Sequence, residues 1–534
     1  MERTYMKTIR FTPNGQNRTP EVVEALRQIA DGTTIEFAQG IYDFYMDGTY
    51  TGCFYPGCNR NGDKRVVFPL LRVKNVTIIG DGAHFLFHDR VFPFVLQDCT
   101  GITMRGFSVD YAFPLCIEAH VSDADNTGFL LAMDHEYCHT NAQGNLCVSA
   151  GIEVFSSRER RFFLEERTWH GYLACGDILF ATDNAPAPFV FCDAMEVPHG
   201  IFFRYRAGSE RMPLPIGKRV LVSYDELREN DVIFLERCRD TIIEDVRIFH
   251  GPGMGIVGQC AENLTLRRYV VDPGDDGLYA TTADAVLLTN FSGLVKMENC
   301  RIDRSVDDAL SIHGFYSRVD AVTDTCKAEV RMVHPSQAGT NPYFPGDTVV
   351  ITDGTTYREK GKITIRRSYR RDDPALLYLE TQEPLCGLLA PGDILENRAR
   401  TPDVEITGCT FQNFPAIRLS SAGKMVFAHN MVSQCKALLV NDLIRYWSVS
   451  GCVRDLTILD NVFSDMDTGI RIFSERPAES DVRHRNIQVT GNTFENCRIG
   501  ISSQGADELH LMENTYRNTA KEWIRDDGMD AGFD

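Results

Sequence analysis

Five stretches near the C-terminus decide the fold: VEITGCTFQNF (404–414), MVFAHNMVSQC (425–435), LTILDNVFSDM (456–466), IQVTGNTFENC (487–497) and LHLMENTYRNT (509–519). Each is an apolar-alternating run, a polar corner and a second short run. Asn430, Asn461, Asn492 and Asn514 stand at the corners, 31, 31 and 22 residues apart. Alternation with period two makes strands. A unit of roughly 20–30 residues made of such strands cannot bury its apolar side alone and must stack on its neighbours. Asn suits the corners because it tolerates left-handed backbone angles and forms side-chain ladders between coils. Looser copies lie upstream at 76–87, 102–111, 241–251, 264–274 and 294–305. An all-β sandwich does not account for this repetition. The repeat predicts an all-β chain folded as a right-handed parallel β-helix.

Two stretches break the rhythm. Residues 116–229 and 314–402 lack the corner pattern and read as β-barrel-like domains inserted into the coils, the second carrying the Pro-Gly-Asp turns of PYFPGDTVVITDG and LLAPGDILEN. The expected organisation is N-terminal coils over 1–115, the first insert over 116–229, central coils over 230–313, the second insert over 314–402 and C-terminal coils over 403–534. One helix is expected at TPEVVEALRQIADG, with Thr19 as N-cap, Pro20 in the first turn and Gly32 past the end.

Of the 534 residues, 74 are acidic and 55 basic, a net charge of −19. Such a surface disfavours nucleic acid and anionic membrane. No run approaches the ~20 apolar residues of a transmembrane helix. The N-terminus has no apolar signal segment, so the chain as written is expected in the cytoplasm, the alternative being periplasmic or secreted after signal removal. The 17 cysteines are scattered and odd in number, which suits free buried thiols better than a disulfide framework. A homo-oligomer is compatible with all of this.

The chemistry concentrates at TTADAVLLTN (281–290) and RSVDDALSIHG (304–314). Aligning DAVLL, DALSI, PAIRL and TGIRI sets Asp284 over Asp308, with Asp307 beside it, and puts Leu287, Ser311, Arg418 and Arg471 in one column. Leu310, Ile312, Ile417, Leu419, Ile470 and Ile472 alternate with that column and face the core. Ser311, Arg418, Arg471 and, two residues beyond Ser311, His313 then face a solvent-filled groove with three acids. Clustered carboxylates raise at least one pKa, so that one is kept protonated as a general acid while another activates water. That pair is what glycosidic hydrolysis requires. An Asp ladder at a turn and a calcium site are the alternatives.

A DA-containing strand followed by a DD pair, together with GCNRNGDKRVVFPLLRVKNVTIIGDGAHFLFHDRVFPFVL near the start, resembles glycoside hydrolase family 110, the α-1,3-galactosidases. A similar acid trio occurs in polygalacturonases and dextranases of the wider β-helix clan. The resemblance implies an inverting exo-hydrolase of terminal α-1,3-linked galactose on oligosaccharide or glycoconjugate glycans, with no cofactor and no metal. It makes Asp284, Asp307 and Asp308 the catalytic trio, Asp308 as general acid and the other two on the water. The Arg-x-Lys of polygalacturonases is absent, which with the net charge favours a neutral sugar. A polygalacturonase- or dextranase-like hydrolase, a polysaccharide lyase and a non-catalytic glycan-binding β-helix stay open.

Candidate sugar contacts are His250, His313, Arg418 and Arg471, with Asn59, Arg60 and Lys64, flanked by Asp63 and Arg65, on a loop able to close the groove. A solvated loop is the bland reading of that last cluster. Trp169, Trp447 and Trp523 suit either packing or sugar stacking. Asp275 and Asp276 read as a turn. No GxSxG, P-loop or GxGxxG occurs.

Overall fold

The computed structural model describes residues 7–525, apart from 113–115, 133–137, 141–145, 149–151, 154–160, 166–177, 181–190, 206–215, 218, 224–229, 275–276, 371, 478–479 and 481–482. Trp169, Asp275 and Asp276 lie outside the described residues.

Successive coils stack in register and build a parallel β-helix with three ladders. The ladder that matters for function runs through Gly62–Leu71, Phe92–Gln97, Ile233–Glu236, Ile256–Gln259, Val286–Thr289, Leu310–Asp324, Ala416–Leu419, Ala437–Asp442, Thr468–Ser474, Ile499–Ser503 and Lys521–Arg525, every pairing between neighbours being parallel. The inward residues form one continuous apolar core that includes Leu310, Ile312, Ile417, Leu419, Ile470 and Ile472. Aromatic side chains stack along it: Phe411, Phe427, Phe463, Phe494 and Tyr516 follow with centroid spacings of 6.1, 6.5, 5.1 and 5.2 Å. Each such pair contributes roughly 0.5–1.5 kcal/mol beyond its buried area.

The asparagine corners form the expected ladder. Asn461 Nδ2 donates to Asn492 Oδ1 at 2.9 Å and Asn430 Nδ2 to Asn461 Oδ1 at 3.1 Å, while the Asn492 amide continues to Asn514 at 3.1 Å. The left-handed residue, however, is the one before each ladder Asn: His429, Asp460, Gly491 and Glu513 have positive φ. Two roles assigned to one residue are divided between neighbours.

Near the N-terminus the helix spans Thr19–Arg27, with Pro20 in its first turn. Arg18, not Thr19, is the cap residue. The Thr19 N–H is taken instead by Asn17 Oδ1 at 2.9 Å.

In the first insertion the described strands form two antiparallel sheets, one of seven strands in which Cys116–Ala124 pairs with Arg219–Ser223, and one of three strands. The second begins without a loop. Leu310–Asp324 is a single strand that pairs in parallel with Ala416–Leu419 through Ile312, then antiparallel with Val449 and Ser450 at Phe315 and Gly314, and with Ile394–Asn397 from Tyr316 onward. Gly314 marks the changeover, and a Cβ there would meet Ser450 Oγ at 2.3 Å. At its far end Tyr316 donates to Asp442 Oδ1 at 2.6 Å, and Arg476 Nε closes on Asp442 Oδ2 at 2.6 Å. All three side chains are buried. This clamp ties the insertion to the C-terminal coils.

No described helix is long and apolar enough to cross a membrane. Among the described residues the cysteines are free, most of them buried.

Candidate active site

Strand register brings the acids together. Leu287, Ser311, Arg418, Leu439 and Arg471 lie opposite one another on five consecutive strands. Three residues earlier on each strand stand Asp284, Asp308, Pro415, Lys436 and Thr468. Main-chain bonds hold this entrance row: Ala285 N–H donates to Asp308 O at 3.0 Å, Lys436 N–H to Pro415 O at 2.8 Å and Thr468 N–H to Lys436 O at 2.9 Å. The column expected from the sequence is present, with Leu439 standing between Arg418 and Arg471. Asp284 and Asp308 are both only 7% exposed. Asp307 is half-buried, and its Oδ1 accepts the Asp308 N–H at 3.1 Å.

Burial dominates the electrostatics. It pushes the Asp308 carboxyl up, Arg418 pulls it back, and the neighbouring Asp307 charge raises it again, to about 7. Arg418 Nε lies 3.4 Å from Asp308 Oδ2. An aspartic acid that still carries its proton near neutrality is suited to proton donation.

Lys436 escaped the sequence reading. Its coil, KALLV (436–440), follows the same template as DAVLL and DALSI, and including it in that alignment would have found it. The side chain is half-buried, and burial brings its ammonium down to about 8 against the attraction of Asp467 and Asp308.

Ser311 and His313 point away from the β-helix core, as expected, yet they are buried rather than solvated. His313 Nδ1 lies 3.0 Å from the Gly314 carbonyl, which fixes that nitrogen as the N–H donor and leaves Nε2 as the acceptor. Burial lowers this imidazole to about 4, so it is neutral. Arg471 lies over Phe473, 4.9 Å from the ring centroid. Phe473 packs on Ala416, Ala437 and Leu439 to give the groove an apolar floor between the two arginines.

The hairpin of Tyr50–Phe54 and Gly62–Leu71 covers the N-terminal side of the acids. Phe54 joins Met254, Val257, Ala283 and Leu287 in one buried cluster. The connecting loop is not the solvated segment of the bland reading. Asn59 Nδ2 donates to Asp231 Oδ1 at 2.7 Å, and the same oxygen accepts the Met254 N–H at 3.0 Å. Gly57 N–H reaches Gln259 Oε1 at 2.8 Å, and Cys58 N–H reaches Ser336 O, on the second insertion, at 2.7 Å. Lys64 is buried beside this junction, whereas Arg60 and Asp63 are exposed. Arg65 turns back along the hairpin to Thr51 Oγ1 at 3.2 Å.

His250 stands on the preceding coil, its Nδ1 2.8 Å from Asp110 Oδ1 and its ring against Tyr279. Trp447 stacks on His334 at 4.6 Å, and Trp523 Nε1 donates to Ser503 Oγ at 3.1 Å. Among the described residues no group of three or more His, Cys, Asp or Glu side chains is arranged to hold a metal ion.

Fold and site together define a parallel β-helix with a buried carboxylate row on one ladder, walled by a hairpin and an inserted domain. Over 500 residues the chain is 26% identical to the α-1,3-galactosidase A of Shewanella woodyi, spanning 90% of this chain and 80% of that protein. It is 27% identical over 508 residues to the α-1,3-galactosidase B of Bacteroides thetaiotaomicron, spanning 89% and 78%. The α-1,3-galactosidase A of the same organism is 24% identical over 565 residues, spanning 97% and 94%. Similarity to glycoside hydrolases of this kind thus runs through nearly the whole chain. No family model matches it. Among solved structures, the polygalacturonase from Erwinia carotovora ssp. carotovora overlaps 97% of this chain and 95% of its own at 8% identity and a TM-score of 0.42. That overlap is too loose to carry residues across.

Proposed function

We propose that the protein is an inverting exo-α-1,3-galactosidase acting on glycan ends. The observation that carries the reading is Asp308: a buried carboxyl held protonated to about pH 7, in the same row as Asp284 and adjacent to the half-buried Asp307. Similarity to α-1,3-galactosidases, at 26–27% identity over about 90% of the chain, supports the substrate class.

In this reading Asp308 donates its proton to the glycosidic oxygen as the C1–O bond breaks. Asp284 and Asp307 hold a water on the opposite face of the sugar and take its proton as the water oxygen bonds to C1. The leaving glycan departs as an alcohol, and galactose is released with its anomeric configuration inverted to β. Neutral His313 accepts a sugar hydroxyl at Nε2 without adding charge. Arg418, Arg471 and the Asn59–Arg60–Lys64 loop line the remainder of the site. The apolar floor at Leu439 and Phe473 suits the hydrophobic face of a neutral hexose.

The arginines and Lys436 also favour a second reading, an enzyme for an acidic sugar such as polygalacturonate. Incubation with Galα1-3Gal and with polygalacturonate, followed by proton NMR from the earliest turnover, tests both. β-Galactose appearing before mutarotation, and its loss in Asp308→Asn, is the expected result. First-formed α-galactose would refute inversion, and turnover of polygalacturonate alone would replace the substrate.

A further inference from the structure

The acid row does not end at Asp308. We propose that Lys436 is a positioning residue for the general acid: carried into the row two coils beyond Asp308, its ammonium sets how tightly Asp308 holds the proton it delivers. The inference rests on reading Asp308 as the proton donor.

Register is the first support. Lys436 stands three residues before Leu439, as Asp308 stands three before Ser311, and these anchors are aligned through Arg418. Between them comes Pro415, whose side chain has neither charge nor a hydrogen-bond donor. Packing is the second. Lys436 is half-buried and next in the chain to Ala437, which with Ala416 and Leu439 forms a buried apolar cluster, and a half-buried ammonium needs acidic partners.

The charged groups acting on it from the adjoining coils are Asp467 and Asp308, with Arg471 opposing them, while Asp307 and Arg418 act on Asp308. Asp467 is shared with Arg498, whose Nε lies 2.5 Å from Asp467 Oδ1. Arg418 also draws Asp308 toward ionisation. Two cations thus oppose burial and the Asp307 charge. Without Lys436 the balance moves toward a more tightly held proton. The acid would then be protonated over a wider pH range but a weaker donor at each pH.

The experiment compares wild type with Lys436→Met, Lys436→Gln and Lys436→Arg by two readouts. The first is the carbonyl band of the protonated Asp308 carboxyl in infrared difference spectra against pH, assigned by its absence from Asp308→Asn. The second is the pH profile of kcat/KM on Galα1-3Gal. In the Met and Gln variants the infrared midpoint is expected to rise by about one pH unit, the alkaline limb to rise with it, and kcat to fall about tenfold. Arg should restore all three. Met keeps the stem's packing and Gln keeps a hydrogen-bonding head, so a loss confined to either one traces to packing or hydrogen bonding rather than to charge and overturns the inference. An unchanged midpoint in both neutral variants overturns it too. A shifted midpoint in a protein whose wild type leaves Galα1-3Gal intact supports the Lys436 assignment and refutes the galactosidase reading.

Discussion

Replacing Asp308 by Asn is expected to abolish turnover and, above neutrality, to make the protein more stable. The folded protein keeps the Asp308 proton to about pH 7, against an ordinary carboxylate value of 3.8. Between these limits the folded state binds the proton and the unfolded chain does not, so stability falls as pH rises and the loss is complete above about 7. At roughly 1.4 kcal/mol per pH unit, about 3 kcal/mol is lost between pH 5 and pH 8 from this one group. Asn has nearly the same shape and no proton to lose. Most other titrations are common to the two proteins and cancel in the difference. The assay is urea unfolding of wild type and Asp308→Asn at pH 5 and pH 8, urea being chosen because it leaves ionic strength unchanged. The variant's advantage should grow by about 3 kcal/mol from the lower pH to the higher. A difference of equal size at both pH values would refute the reasoning, because Asp308 would then be ionised throughout.

Two further outcomes concern one group at the site and one in the corner ladder. His313→Phe removes a hydrogen-bond acceptor but no titration in the working range, since burial already holds the imidazole neutral above about pH 4. KM should rise about tenfold with the pH profile between 5 and 8 unchanged, and a moved acid limb would show that His313 carries charge. Asn461→Ala breaks the corner ladder at a residue that donates to Phe427 O and Asn492 Oδ1 and accepts from Asn430. It should cost about 2–3 kcal/mol, and an unshifted urea midpoint would show that the ladder follows the fold rather than holding it.

Most of the β-helix was legible because its physics is local and repeated. A period-two run and a corner recur with enough copies that single deviations do not hide the pattern. The same regularity made Asp284 and Asp308 readable as stacked neighbours, since strand register converts sequence offsets into distances. What the sequence hid was long-range. KALLV leads straight into the irregular stretch NDLIRYW rather than into a repeat corner, which hides Lys436. Nothing local says that Asn59 and Lys64 become buried, because that follows from docking against Asp231 and Gln259, 172 and 202 residues from Asn59 and Gly57 respectively. Nor does a strand-like DALSIHG announce that it runs on unbroken into another domain. For the same reason Ser311 and His313 were expected in solvent.

The clamp among Tyr316, Asp442 and Arg476 imposes an order in time. Arg476 follows Tyr316 by 160 residues. At roughly 5–20 residues per second of synthesis, the strand that carries Ser311 and His313 into the insertion waits about 8–30 s for its fastening to emerge. A nascent or truncated chain can stack its early coils, but it has no fixed wall beside its acids. Hydrolytic competence therefore waits for Arg476, and removal of the C-terminal coils would erase it with Asp284, Asp307 and Asp308 all still in place.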